Sequence, residues 1–111
     1  GDMAKIVSAD NPSGNWDLGP SGKKPMIGKI RAIEGLKPGV ISVSWSFGHW
    51  AYGTRDIMVD GTVIKGEKAR ESGLCSNAAL TVDSGLKNST LEDMIGGSAV
   101  FYDSFVGLEK V

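Results

Sequence analysis

The stretch from Pro38 to Gly53, PGVISVSWSFGHWAYG, constrains the fold more than any other part of the chain. A Pro-Gly turn launches it, after which Ile41, Val43 and Trp45 alternate with Ser42, Ser44 and Ser46. A period of two puts all the apolar residues on one side of an extended strand, whereas a helix would scatter them around its circumference. The alternation stops at Phe47. Gly48-His49-Trp50-Ala51-Tyr52-Gly53 then holds the only histidine, two large rings and two glycines. That composition suits a loop that brings backbone and flat side chains close to a flat ligand.

Glycine extends the argument to the whole chain. It occurs sixteen times in 111 residues, without a period, so collagen-like and low-complexity readings fail and many short strands with tight turns fit. Ala4 to Ala9 reads as a first strand, Asp10 to Pro25 as a loop pinned by Trp16, and Met26 to Ile33 as a second strand. Asp60-Gly61 between Asp56–Val59 and Thr62–Ile64 is a two-residue hairpin signal. Glu67 to Ser72 predicts a short helix or turn closed by Gly73, and Leu74 to Asp83 a return to strand. Ser89-Thr90-Leu91-Glu92 has capping-box spacing and predicts a helical turn from Thr90 to Ile95. Ser98–Tyr102 and Val106–Val111 finish as strands. The expected class is mainly β, with one or two short helices, in one domain over residues 1–111.

Charge and cysteine usage exclude several functions. Twelve basic residues against thirteen acidic ones give a net charge of -1, with no basic stripe for nucleic acid. One cysteine makes no internal disulfide, and with one histidine it makes no zinc site. No apolar run approaches the roughly 20 residues needed to span a bilayer, so direct membrane insertion is not expected. No signal peptide is visible, and the compartment stays open. The three-glycine dinucleotide fingerprint, the phosphate loop and the nucleophile elbow are all absent. Cys75 reads as a buried, inert residue rather than a nucleophile partnered by His49. Asn88-Ser89-Thr90 fits the glycosylation pattern, but the helix cap explains the same residues.

One combination points to a ligand. A pterin or guanine ring offers a flat face and an edge of mixed donors and acceptors. A carboxylate, an amide and nearby backbone recognise that edge, and histidine or tryptophan adds stacking. Asp83, Asn77 and the loop at Gly48–Gly53 are groups of these kinds.

The order PGVISVSWSFGHWAYG, then Arg70, Gly73 and Asn77, then Asp83, then GGSAVFYD resembles the C-terminal domain of molybdopterin oxidoreductase large subunits. These are the bis-guanine-dinucleotide enzymes related to dimethyl sulfoxide reductase. The GHWAYG loop and GGSAVFYD tail look most like the tetrathionate, thiosulfate and related sulfur- or arsenic-oxyanion branch. The resemblance covers nearly the whole chain. It implies a six-stranded double-psi β-barrel of the aspartate-decarboxylase-like type and a role in gripping molybdopterin guanine dinucleotide, which carries molybdenum or tungsten. By motif position the cofactor loop falls on Phe47, Gly48, His49 and Trp50, the asparagine loop on Asn77 and the following acidic position on Asp83. Ser8 and Asn11 are candidates for the same face.

No catalytic residue and no metal ligand is expected here. The resemblance places the metal's protein ligand and the iron–sulfur clusters in other domains, and it implies an electron-transfer partner of the parent enzyme. Family domains begin with a segment that is missing ahead of Gly1-Asp2, which implies a domain excised from the C-terminal end of a longer chain and inactive alone. The rival reading is a stand-alone β-barrel acting as a binding or assembly module without cofactor. A small-barrel decarboxylase would need a cleavage site before a serine, and no Gly-Ser pair here is persuasive.

Overall fold

A computed structural model describes residues 1–17, 22–48, 53–86, 89–100 and 104–111. Its organising strand is β1 (Met3–Ser8), the centre of a three-stranded antiparallel sheet. On one side β1 pairs with β4 (Ile27–Lys29), with Ala4 opposite Gly28. On the other it pairs with β7 (Val106–Lys110), with Ile6 opposite Leu108. Ala4 and Ile6 alternate inward and are buried, and Met26 and Cys75 join them as the buried apolar core among the described residues.

A hairpin of β2 (Asn15–Asp17) and β3 (Lys23–Pro25) is stitched to this sheet through Gly14 and Met26. The Met26 amide donates to the Gly14 carbonyl at 2.8 Å, and the Ile6 amide donates to the Met26 carbonyl at 2.9 Å. The segment Asp10–Pro25, expected as loop, therefore contains paired strands, and Trp16 is a half-buried strand residue opposite Lys24.

The Asp60-Gly61 hairpin forms as expected, between β5 (Ile57–Val59) and β6 (Thr62–Ile64). Asp60 at φ 49° and Gly61 at φ 78° give the left-handed pair that a two-residue hairpin requires. The turn expected after Glu67 is a 3-10 helix at Lys68–Glu71, and a second 3-10 helix spans Ser76–Ala79 where strand was expected.

Three further expectations differ from the structure. The described residues form sheets of three, two and two strands and no closed six-stranded barrel. The alternating stretch Ile41–Ser46 is not in a strand. Residues 33–40 use their backbone in two tight turns, Leu36 N–H to Ile33 carbonyl and Val40 N–H to Lys37 carbonyl. No strand lies in register beyond them among the described residues, and a strand without a ladder partner leaves its amides to water. Trp45 is accordingly 73% exposed.

The third correction is the helix at Thr90–Ile95. Ser89 Oγ donates to Glu92 Oε1 at 3.1 Å and to the Thr90 carbonyl at 3.3 Å, where a helix cap would accept from an amide. Asp93 takes over the turn, accepting from the Gly96 amide at 2.8 Å through its side chain and from the Gly97 amide through its carbonyl. An aspartate that binds its own following amides competes with helix. Thr90 and Glu92 instead bridge to Val82 and Ala99. The expected strand Ser98–Tyr102 is described only to Val100, where Ala99 makes that bridge.

The radius of gyration is 16.1 Å, well above the ~13 Å of a compact chain of this length. An apolar groove of about 570 Å³ opens between the β1 sheet and residues 31–44, with Ile6, Ile27, Ile33, Val43 and Leu108 in its walls. Among the described residues, no helix is long and apolar enough to cross a membrane.

Candidate functional site

Two close backbone approaches build the site. Ser46 at φ 66° and Gly48 at φ 73° reverse the chain around Phe47. The Gly48 amide donates to the Ser72 carbonyl at 2.9 Å. Gly48 is buried, and a Cβ there would stand 2.6 Å from the Cys75 nitrogen and 2.7 Å from the Leu74 carbonyl carbon. Opposite it, Gly73 at φ 82° leaves room for Phe47, whose Cβ would lie 2.8 Å from a Cβ on Gly73. Each glycine is required by the other segment's approach. Phe47, Gly73 and Leu74 line one end of the apolar groove.

Cys75 then opens the 3-10 helix that carries Asn77. Its thiol is buried, and burial pushes its pKa up, while amides of Asn77 and Ala78 donating to the sulfur pull partly the other way. The neutral thiol is therefore the native form. Folding stability attributable to Cys75 is complete below the ordinary thiol pKa and falls as pH rises from there toward the higher native value, because only the unfolded chain ionises. We expect alkylation of Cys75 in the folded chain at pH 8 to be at least about 100-fold slower than in denaturant. Equal rates would show that the thiol is accessible. Among the described residues no cluster of three His, Cys, Asp or Glu could hold a metal.

The helix bearing Asn77 is clamped from the far side. Asn11 Nδ2 donates at 2.9 Å to the Ala78 carbonyl and also at 2.9 Å to the Asn15 carbonyl, joining the end of β1, the β2 hairpin and the 3-10 helix. Ser8 Oγ accepts from the Asn11 amide at 3.1 Å. Asp10 Oδ2 accepts from the Val82 amide at 3.0 Å, extending the clamp past the 3-10 helix to the Val82–Thr90 bridge. Ser8 and Asn11, read from sequence as ligand candidates, thus hold framework. Replacing Asn11 by Ala leaves two carbonyls without this donor and should cost about 1–2 kcal/mol in a denaturant melt. An unchanged midpoint would show the clamp to be dispensable.

Asp83 sits beyond the clamp. Its Oδ1 accepts from the Gly85 and Leu86 amides, both at 2.7 Å, and its amide donates to the Ser89 carbonyl at 3.0 Å. This side-chain turn fixes the carboxylate's orientation. The structure therefore brings Phe47 and Gly48 onto Ser72–Cys75, with exposed Asn77 two residues further on, and holds half-buried Asp83 in a separate turn. His49 and Trp50 lie outside the described residues. Sequence reasoning missed Asp10 as a clamp residue and Lys24, whose Nζ donates to the Glu71 carbonyl and ties β3 to the first 3-10 helix. The loop composition of Asp10–Pro25 gave no sign of the distant carbonyls that Asn11 reaches.

The chain is 42% identical over all of its 111 residues to a selenate reductase subunit of Mesobacillus selenatarsenatis, and it spans 11% of that protein. It is thus homologous to a segment of a much longer polypeptide. No protein-family model matches the chain, and no solved structure matches it.

Proposed function

We propose that the chain is a cofactor-binding segment of the large subunit of a molybdopterin oxidoreductase related to dimethyl sulfoxide reductase, one that reduces an inorganic oxyanion. The observation that carries this is the 42% identity along the full chain to a protein named for selenate reduction. The named substrate is a selenium oxyanion, so the tetrathionate reading gives way to selenate or a similar oxyanion. When bound, molybdopterin guanine dinucleotide would supply the molybdenum or tungsten centre at which the oxyanion is reduced.

The chain's own contribution is positioning. Asn77 is exposed on a rigidly clamped helix and offers both an amide donor and an acceptor to a pterin or guanine edge. Asp83, whose Oδ1 is held by two backbone amides, offers its other carboxylate oxygen, Oδ2, to an N–H donor. Phe47 and Gly48 fix the start of the loop that continues to His49 and Trp50, and in this reading those rings pack against the pterin. A carboxylate, an amide and a loop start fixed by a close backbone contact fit the chemistry of such a ring edge. Iron–sulfur clusters and an electron-transfer subunit belong to the rest of the enzyme. A double-psi barrel completed within the whole subunit is part of the same proposal.

The test uses the parent subunit expressed whole. Asn77→Ala and Asp83→Ala should each lower the guanine nucleotide retained after purification by about tenfold, the loss of one or two charge-assisted or amide hydrogen bonds, while the 111-residue chain alone shows no turnover. Full nucleotide content in both variants would reject these positions as cofactor contacts.

A further inference from the structure

The β5–β6 hairpin has the composition of a buried element and the exposure of a free one. Its residues read Ile57-Met58-Val59 and Thr62-Val63-Ile64, and cross-strand register sets Met58 beside Val63 on one face and Ile57 beside Ile64 on the other. Both faces are therefore apolar, a pattern found in strands covered on two sides. Yet Met58 is 73% exposed, and Ile57, Val59, Val63 and Ile64 are each close to half exposed. Charge is confined to the ends and the tip, at Asp56, Asp60 and Lys65. Among the described strands these two pair with each other alone. A hairpin of this length gains little stability by itself, and an uncovered two-faced apolar blade marks a docking element.

We infer that this hairpin is an insertion blade that seats in an apolar slot formed by the rest of the parent polypeptide. The inference rests on the proposed function, since the match spans 11% of the relative and leaves nearly nine-tenths of such a protein to supply the slot. Two bare faces call for a slot rather than a flat surface. A second copy of the chain is a poorer occupant: five apolar side chains, presented one face at a time, fall short of the roughly 800 Å² per partner of a standard interface. The blade begins at Ile57, nine residues after Gly48. Asp56 accepts from Lys65 Nζ at 2.6 Å and from the Gly66 amide at 3.0 Å, and closes the blade's base.

Hydrogen exchange of residues 57–64 tests the inference, compared between the 111-residue chain and the whole parent subunit. Seating predicts amide exchange at least about tenfold slower in the subunit. The double substitution M58E/V63E should abolish that difference and lower the subunit's melting temperature while leaving the melting of the 111-residue chain unchanged. Equal exchange in a subunit that retains its guanine nucleotide would overturn the blade and leave the proposed function standing. A native protein with the mass of this chain alone would remove both. Concentration-dependent protection in the 111-residue chain, abolished by M58E/V63E, would overturn the inference in favour of self-association.

Discussion

Gly48→Val should destabilise the chain by about 3–4 kcal/mol, because two costs add at this position. A β-branched residue at φ 73° is held in a region that costs about 1–3 kcal/mol. Its Cβ would also stand 2.6 Å from the Cys75 nitrogen and 2.7 Å from the Leu74 carbonyl carbon, and backbone cannot swing aside as the end of a lysine can. Overpacking of this kind typically costs a further 1–3 kcal/mol. The sum is a large share of the roughly 5–15 kcal/mol that holds a domain folded. A urea melt followed by far-ultraviolet circular dichroism reads the loss. If the stability changed by less than about 1 kcal/mol, Gly48 would not be packed against Leu74 and Cys75 as described.

Gly14→Ala ranks second. Gly14 is buried at φ 55°, and a Cβ there would lie 2.5 Å from the Ile6 carbonyl oxygen, an atom of the central strand. Lys5 Cε, 2.8 Å away, can move, and the Ile6 carbonyl cannot do so without disturbing β1. The Gly14 carbonyl also receives the Met26 amide, so a shift of Gly14 strains the link between the β2 hairpin and the sheet. The expected loss is about 2–3 kcal/mol, accompanied by a change in tryptophan emission, because Trp16 lies two residues along the same hairpin. A loss near the few tenths typical of an exposed surface change would contradict the close packing at Ile6.

Short-range patterns foretold the β5–β6 hairpin, whose strands are each other's neighbours, and also β1 and β7, which pair with each other across about a hundred positions. Asp60-Gly61 specifies its turn and, through it, the register of six residues. Ala4 and Ile6 reveal the inward face of β1 by alternation, and Val106–Val111, expected as a strand, forms β7 at Val106–Lys110. Ile41–Ser46 carries an equally clear alternation and forms no strand, because alternation names a face and not the neighbour that must receive its amides. Ser89-Thr90-Leu91-Glu92 misled for a different reason. Asp93, one residue beyond the capping box, binds the following turn, and no propensity argument ranks those two local bonds.

At the candidate site, the residue types of Asn77 and Asp83 were legible and their setting was not. Asn11 reaches Ala78 across 67 positions. The glycines at 48 and 73 were visible as glycines, but the segment each accommodates is known only from the fold. The tetrathionate reading rested on short motifs at the GHWAYG loop and the GGSAVFYD tail. The identity along the whole chain is instead to a protein named for selenate reduction, and substrate preference is a property of the whole subunit, beyond the reach of short motifs.

The most direct measurement is cofactor analysis of the native protein purified from its source, with its mass determined on the same sample. The expected result is a protein several times larger than 11.7 kDa that contains molybdenum or tungsten and releases guanosine monophosphate on acid hydrolysis. A protein of this chain's mass, or a larger one free of guanine nucleotide and of both metals, would contradict the assignment to a molybdopterin oxidoreductase.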